Sequence, residues 1–151
     1  MLEALGIGFD LQPGDVAARG NFCTVDEQGR ITDRRAGRIA TQVNQELVSL
    51  LRDIELPGVR TFVETVKDYR FVLVLRATAG QTLYANIADT DPQRLGVPPL
   101  SAQAQDEASE PAAELVNRWT AAAREILHDH PPANSLNLRG LAKDPGLPRF
   151  P

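Results

Sequence analysis

The sequence predicts an α+β sandwich of the ferredoxin-like βαββαβ type, an antiparallel four-stranded sheet with two helices on one face. Three observations predict it. Segments of period two and of helical period follow one another as strand, helix, strand, strand, helix, strand. The two middle strands are joined by the tight Lys67-Asp68 connection, as in a hairpin. A chain of 151 residues holds one core rather than two. With 42% hydrophobic and 24% charged residues, the composition excludes wholesale disorder and fibrous repeats.

Residues 1–14 are an apolar, Gly/Pro-containing lead-in that ends in the turn-forming Pro13-Gly14. Residues 15–25 alternate, with Val16, Ala18 and Phe22 on one side and Arg19, Asn21 and Cys23 on the other, as in a half-buried strand that Gly20 weakens. Asp26, Glu27, Gln28 and Gly29 have turn composition, and residues 30–37 read as a charged loop. Ile39, Val43, Leu47, Leu50, Leu51 and Ile54 recur at steps of three and four, which predicts a helix stopped by Pro57-Gly58. Residues 59–66 and 71–75, rich in Val, Leu, Thr and Phe, are the hairpin strands. Residues 78–101 are too long for a mere connection, a length typical of functional or disordered loops. Ser109 and Pro111 start a second helix whose stripe is Leu115, Trp119, Ala122, Ala123, Ile126 and Leu127, and Pro131-Pro132 stops it. Residues 135–139 make a last short strand before a Pro/Gly-rich tail.

In this arrangement the first and third strands are central and the last lies beside the first. If Phe22, Leu73, Leu75, Leu136 and Leu138 face the helices, period two sends Arg19, Asn21, Arg70, Arg76, Asn137 and Arg139 to a bare opposite face. An arginine-rich face calls for an anion, a carboxylate network or another domain; solvated strand ends are the plain alternative. Arg30, Arg34, Arg35 and Arg38 surround Asp33 just before the first helix, so this loop suits a phosphate or carboxylate as well as an ordinary charged surface. Asp89 and Asp91 can accept from arginine, bind a hydroxyl or touch a cation, or simply form a turn before Pro92. His128 and His130, around Asp129, complement a helix end and do not by themselves make a metal site.

Other classes are excluded on composition and motif. The net charge of −4 argues against nucleic acid or an anionic membrane as partner. No apolar run approaches the ~20 residues of a membrane span, the first ten residues lack the pattern of a secretion signal, and the lone Cys23 suits a reducing cytoplasm. Lys67 and Lys143 are the only lysines among 16 basic residues; arginine's planar fork suits phosphate and carboxylate, although a GC-rich genome gives the same bias. A Walker loop, G-x-G-x-x-G, H-E-x-x-H and a nucleophile elbow are all missing from the sequence, so no catalytic residue is assigned within it.

One family pattern runs along nearly the whole chain. It comprises Leu2 to Gly8, Pro13 to Ala17, Asn21-Phe22, Thr24 to Asp26, the DRRAGRI string from Asp33 to Ile39, Val72 to Arg76 and the DTDP string from Asp89 to Pro92. These segments resemble the archaeal-type, bisphosphoglycerate-independent phosphoglycerate mutases of the alkaline phosphatase superfamily. The resemblance implies interconversion of 3-phosphoglycerate and 2-phosphoglycerate in glycolysis and gluconeogenesis, in the cytoplasm, through a phosphorylated enzyme. It also implies that this stretch is the inserted substrate-clamping domain, residues 15–140, with residues 1–14 leading in from a metal-binding core and residues 141–151 returning to it. The core would carry the nucleophile and two divalent ions (Mn, Mg, Co or Zn), leaving no metal ligands here; the fragment alone would be inactive, with the core of the same polypeptide as its partner. Matching positions make Asp33, Arg34, Arg35, Arg38, Asp89 and Asp91 the expected substrate-facing residues, followed by Arg19, Asn21, Arg70 and Arg76. Two departures stand out: Gln93 and Tyr69 replace histidines usual in the family. They leave room for a related phosphatase or mutase acting on another phosphate or phosphonate. A free-standing ferredoxin-like binding module is the non-enzymatic alternative.

Overall fold

The computed structural model describes residues 6–78 and 81–144. The first residues of the lead-in and the tail beyond Asp144 lie outside the described residues. Among the described residues, five strands and two longer α-helices follow one another as β1 (Val16–Val25), β2 (Ile31–Asp33), α1 (Thr41–Leu51), β3 (Val59–Lys67), β4 (Arg70–Ala77), α2 (Glu110–Leu127) and β5 (Ser135–Lys143). All pairings are antiparallel, in the order β5-β1-β4-β3, with β2 joined to the far end of β1. This is the ferredoxin-like order, with central β1 and β4 as expected and one short strand added.

The main core lies between the sheet and the helices and holds Phe22, Phe71, Leu73, Leu75, Leu136, Leu138 and Trp119. Gly20 faces Phe71 across the β1/β4 pair, and a Cβ built at Gly20 would overlap the outer edge of the Phe71 ring. That ring packs 4.7 Å from Phe22 and 6.2 Å from Trp119, centroid to centroid. The glycine that weakens the strand pattern is therefore the space the aromatic cluster occupies.

Several elements differ from the sequence reading. The charged loop opens with β2, whose Ile31 is fully buried and pairs with Val25. In α1 the inward face is Asn44, Leu47, Val48 and Leu51, whereas Val43 and Leu50 are each 39% exposed. Asn44 takes an inward place because it plugs the β3-β4 turn: its amide donates to the carbonyls of Asp68 and Arg70, and its oxygen accepts from the Thr65 hydroxyl. The last strand is longer than the expected five residues, reaching Lys143 along β1.

The sheet face away from the helices is not bare. Leu11, with Phe9, covers a second apolar cluster of Ala17, Val72, Val74, Phe62 and Val66. Arg76 lies over the Phe62 ring and pairs with the buried carboxylate of Asp15 at 2.9 Å, so the half of the face nearest the start of β1 is a sealed layer. The open, arginine-bearing half lies toward the far end of β1.

The long segment before α2 is pinned on both sides. Residues 86–88 pair with residues 103–105. Thr90 bonds the backbone of Leu138 on the free edge of β5, and Gly96 and Val97 exchange bonds with Ile31 of β2. Asp106, rather than Ser109, caps the turn that enters α2, accepting from the Ser109 amide at 2.9 Å and from Asn86 at 3.0 Å. The bonds from Ser109 and then Asn86 hold the Asp106 carboxyl below its usual 3.8. A depressed carboxyl stabilises above its unfolded pKa and loses that contribution as the pH falls through the folded one. Asp106→Ala is expected to lower Tm at pH 7, with the gap to the unmodified chain closing below pH 3.8; thermal melts across pH check this.

Cys23 is fully buried on β1, and burial pushes its thiol up to about 12, offset in part by a bond from Ser135. The folded chain is expected to resist thiol reagents at pH 8 and to react fully once denatured; absorbance titration with a chromogenic disulfide distinguishes the two.

Candidate functional site

The open half of the sheet face meets two loops at a cleft of about 600 Å³. The β1 strand supplies Asn21, β2 and the turn after it supply Thr32 to Arg35, and the β3-β4 turn supplies Tyr69. The loop crossing β5 supplies Asp91, Arg94 and Leu95, and β5 itself Arg139. A smaller pocket of about 150 Å³ adjoins it, with Arg19 and Arg70 at its sides; Asn21, Tyr69 and Arg139 line both. Antiparallel pairing dictates this grouping, because Arg19 stands opposite Arg139 and Asn21 stands between Arg70 and Asn137.

The turn holding Arg34 and Arg35 is set by Asp33. One carboxylate oxygen accepts from the Arg35 amide at 2.8 Å and the other from the Gly37 amide at 2.9 Å. Ala36, Gly37 and Arg38 all have positive φ, at 49°, 67° and 56°. Left-handed backbone at two non-glycine residues in a row of three is strained, and Asp33 together with the fully buried Ala36 holds it. Asp33 thus spends its oxygens on its own loop.

Asp91 is the counter-charge within the cleft. Its side chain is 3% exposed, one oxygen accepts from the Gln93 amide, and the other lies 3.5 Å from Arg34 Nη2 and 4.0 Å from Arg139 Nε. Asp89 accepts from the Gly140 amide at 2.8 Å and sits 3.9 Å from Arg139 Nε. The Nε atoms of Arg34 and Arg139 are buried without a hydrogen-bond partner. These long ion pairs leave the two guanidinium groups held in place and only partly neutralised, the state in which an arginine grips an incoming oxyanion.

Of the ten residues singled out from sequence, Asn21, Asp33, Arg34, Arg35 and Asp91 line the cleft, Arg19 and Arg70 line the adjoining pocket, and Asp89 touches Arg139 at its rim. Arg38 is exposed and lines neither. Arg76 is six residues along β4 from Arg70, about 20 Å away, and is engaged by Asp15. Arg94 and Tyr69 are cleft residues that the sequence reading did not select as binding groups. Arg139 was placed on this face by strand alternation but not chosen.

Among the described residues, no three His, Cys, Asp or Glu side chains gather closely enough to hold a metal ion. No described helix is long and apolar enough to cross a membrane.

Comparison with known proteins decides the family. The family model described as 2,3-bisphosphoglycerate-independent phosphoglycerate mutase matches residues 1–133. The chain belongs to that family. Among its relatives, a "Probable 2,3-bisphosphoglycerate-independent phosphoglycerate mutase" of Thermus thermophilus is 45% identical over 151 residues, covering 99% of this chain and 36% of that protein. "2,3-bisphosphoglycerate-independent phosphoglycerate mutase 1" of Archaeoglobus fulgidus is 39% identical over 167 residues, covering 99% of this chain and 40% of that protein. The solved "Cofactor-Independent Phosphoglycerate mutase from Thermoplasma Acidophilum" superposes with a TM-score of 0.86 at 35% identity, over 97% of this chain and 41% of that one. The chain thus spans little more than a third of the length of the curated relatives it matches.

Proposed function

We propose that this chain is the substrate-clamping part of a metal-dependent, cofactor-independent phosphoglycerate mutase that interconverts 3-phosphoglycerate and 2-phosphoglycerate. The observation that carries the reading is the convergence of Arg34, Arg35, Arg94 and Arg139 on one open cleft around the buried Asp91. A phosphoglycerate carries a phosphate and a carboxylate, and the cleft with its adjoining arginine pocket offers cationic donors to both ends.

On this reading the divalent ions belong to the core that the family resemblance places outside this stretch. The part played by this chain is to hold the phosphorylated substrate and keep water from it while the phosphoryl group is transferred, which guards against loss as free glycerate. The clamp is wider than the residues 15–140 expected from sequence, because Phe9 and Leu11 pack on the sheet and β5 runs on to Lys143; the chain on either side joins it to the core. Gly14 and Asp15 bond to Asp144, so the start of β1 and the end of β5 lie together at one end of the sheet. The reaction belongs to glycolysis and gluconeogenesis in the cytoplasm, and this part alone is inactive.

A second reading, a related enzyme acting on another phosphate or phosphonate, is favoured by one feature: Tyr69 faces both pockets where the family resemblance expects histidine. A substrate panel on the complete enzyme with divalent metal separates the two. Interconversion of the phosphoglycerates as the fastest reaction supports the mutase; release of phosphate from other esters without isomerisation overturns it.

A further inference from the structure

A second cleft, of about 620 Å³, lies elsewhere on the molecule and is independent of the function proposed above. It is framed by the turn from Asp26 to Gly29, by Pro98 and Pro99, and by Arg124 and His128 near the end of α2. Arg124 is the unusual member. Its Nε and Nη2 are buried and make no hydrogen bond, and no carboxylate among the described residues lies within ion-pair reach of it. Burial lowers the Arg124 pKa, an effect that the Cys23 thiol offsets only in part.

A basic residue in the last turn of a helix is expected for the dipole, but an exposed side chain meets that need, and nothing about the dipole calls for burying the charge. The acids at the cleft do not compensate Arg124 either. Asp26 is occupied by the amides of Gln28 and Arg30 and by the Arg30 guanidinium at 3.4 Å, and Glu27 is exposed. What remains is a half-buried positive charge at the wall of an open cleft, with no internal counter-ion.

We propose that this cleft is an anion site, in which the phosphate or carboxylate group of a small molecule neutralises Arg124. The covered edge of the guanidinium, Nε with Nη2, is the edge that matches two oxygens of such a group, so full engagement turns that edge toward the cleft.

The test uses the 151-residue chain, with inorganic phosphate and acetate as probes and thermal melts as the first readout. Without either anion, Arg124→Met keeps the stem, removes the uncompensated charge and is expected to raise Tm by about 2–4 °C. With rising phosphate or acetate at constant ionic strength, the unmodified chain is expected to gain Tm in a saturable way, and Arg124→Met is expected to lose the share of that gain that this cleft supplies. Arg118→Ala, which alters an exposed α2 residue that lines neither cleft, is expected to retain it. The second readout is the side-chain Nε resonance of Arg124 followed by NMR, which is expected to shift with the same saturation. Which probe saturates identifies the group bound. No saturable response to either anion, or a response unchanged by Arg124→Met, overturns the site.

Discussion

In the complete enzyme, Arg34→Ala is expected to lower kcat/KM for phosphoglycerate by about 10- to 100-fold, the equivalent of one or two charge-assisted hydrogen bonds at ~1.5–3 kcal/mol each. Arg34 is held in the cleft from two sides, by the turn that Asp33 closes and by the 3.5 Å contact with Asp91, so its guanidinium reaches substrate without first being ordered. Arg139→Ala acts from the opposite wall and is expected to show a loss of the same size. Because both arginines share Asp91, the double variant is expected to lose less than the product of the two single effects. Arg118→Ala, which removes an exposed α2 residue paired with Glu114, is the control and is expected to leave kinetics unchanged. Steady-state kinetics with melting curves for each variant make the comparison. Normal kinetics in both cleft variants would remove this cleft from substrate binding.

The largest effect on stability is expected at Gly20. Gly20→Ala puts a methyl group where the Phe71 ring lies, and Phe71 cannot retreat without disturbing Phe22 and Trp119. Overpacking of this kind costs about 1–3 kcal/mol, and a site in the middle of the central strand belongs at the upper end. Urea denaturation is expected to show a lower midpoint with an unchanged slope. Phe71→Leu in the same chain makes room and is expected to recover part of the loss. Additive costs in the double variant would mean that the two residues do not compete for the same space.

The fold was legible because both of its periods are written in side chains that the structure buries. Leu73, Leu75, Leu136 and Leu138 alternate into the main core, and Leu115, Trp119, Ala123 and Leu127 follow the helical repeat. Alternation also grouped Arg19, Asn21, Arg70 and Arg139 correctly, since period two is a property of the backbone. What periodicity could not reveal was contact between distant segments. Leu11 folds back over Val72 and Val74, which closes the face around Arg76 and leaves the face around Arg139 open. Asn44 breaks the apolar stripe of α1 for a turn more than twenty residues away. Asp33 looks like a ligand-facing acid in a run of arginines, and its use as a brace for three left-handed residues depends on φ angles that composition does not encode. Arg94 was hidden for a related reason: only the course of the loop across β5 and β2 carries it to the cleft.

Strand β1 pairs with β2, β4 and β5, whose residues come from widely separated parts of the chain. Local hairpins can form early, but the pairing of β1 with β5 must wait until more than a hundred intervening residues have been gathered in. The entropy of closing such a loop is lost before the contacts that repay it exist, which makes for slow assembly relative to helical proteins of similar length. The same dependence ties the three partner strands to one another's fate, so loosening the middle strand dissolves the layer as a unit.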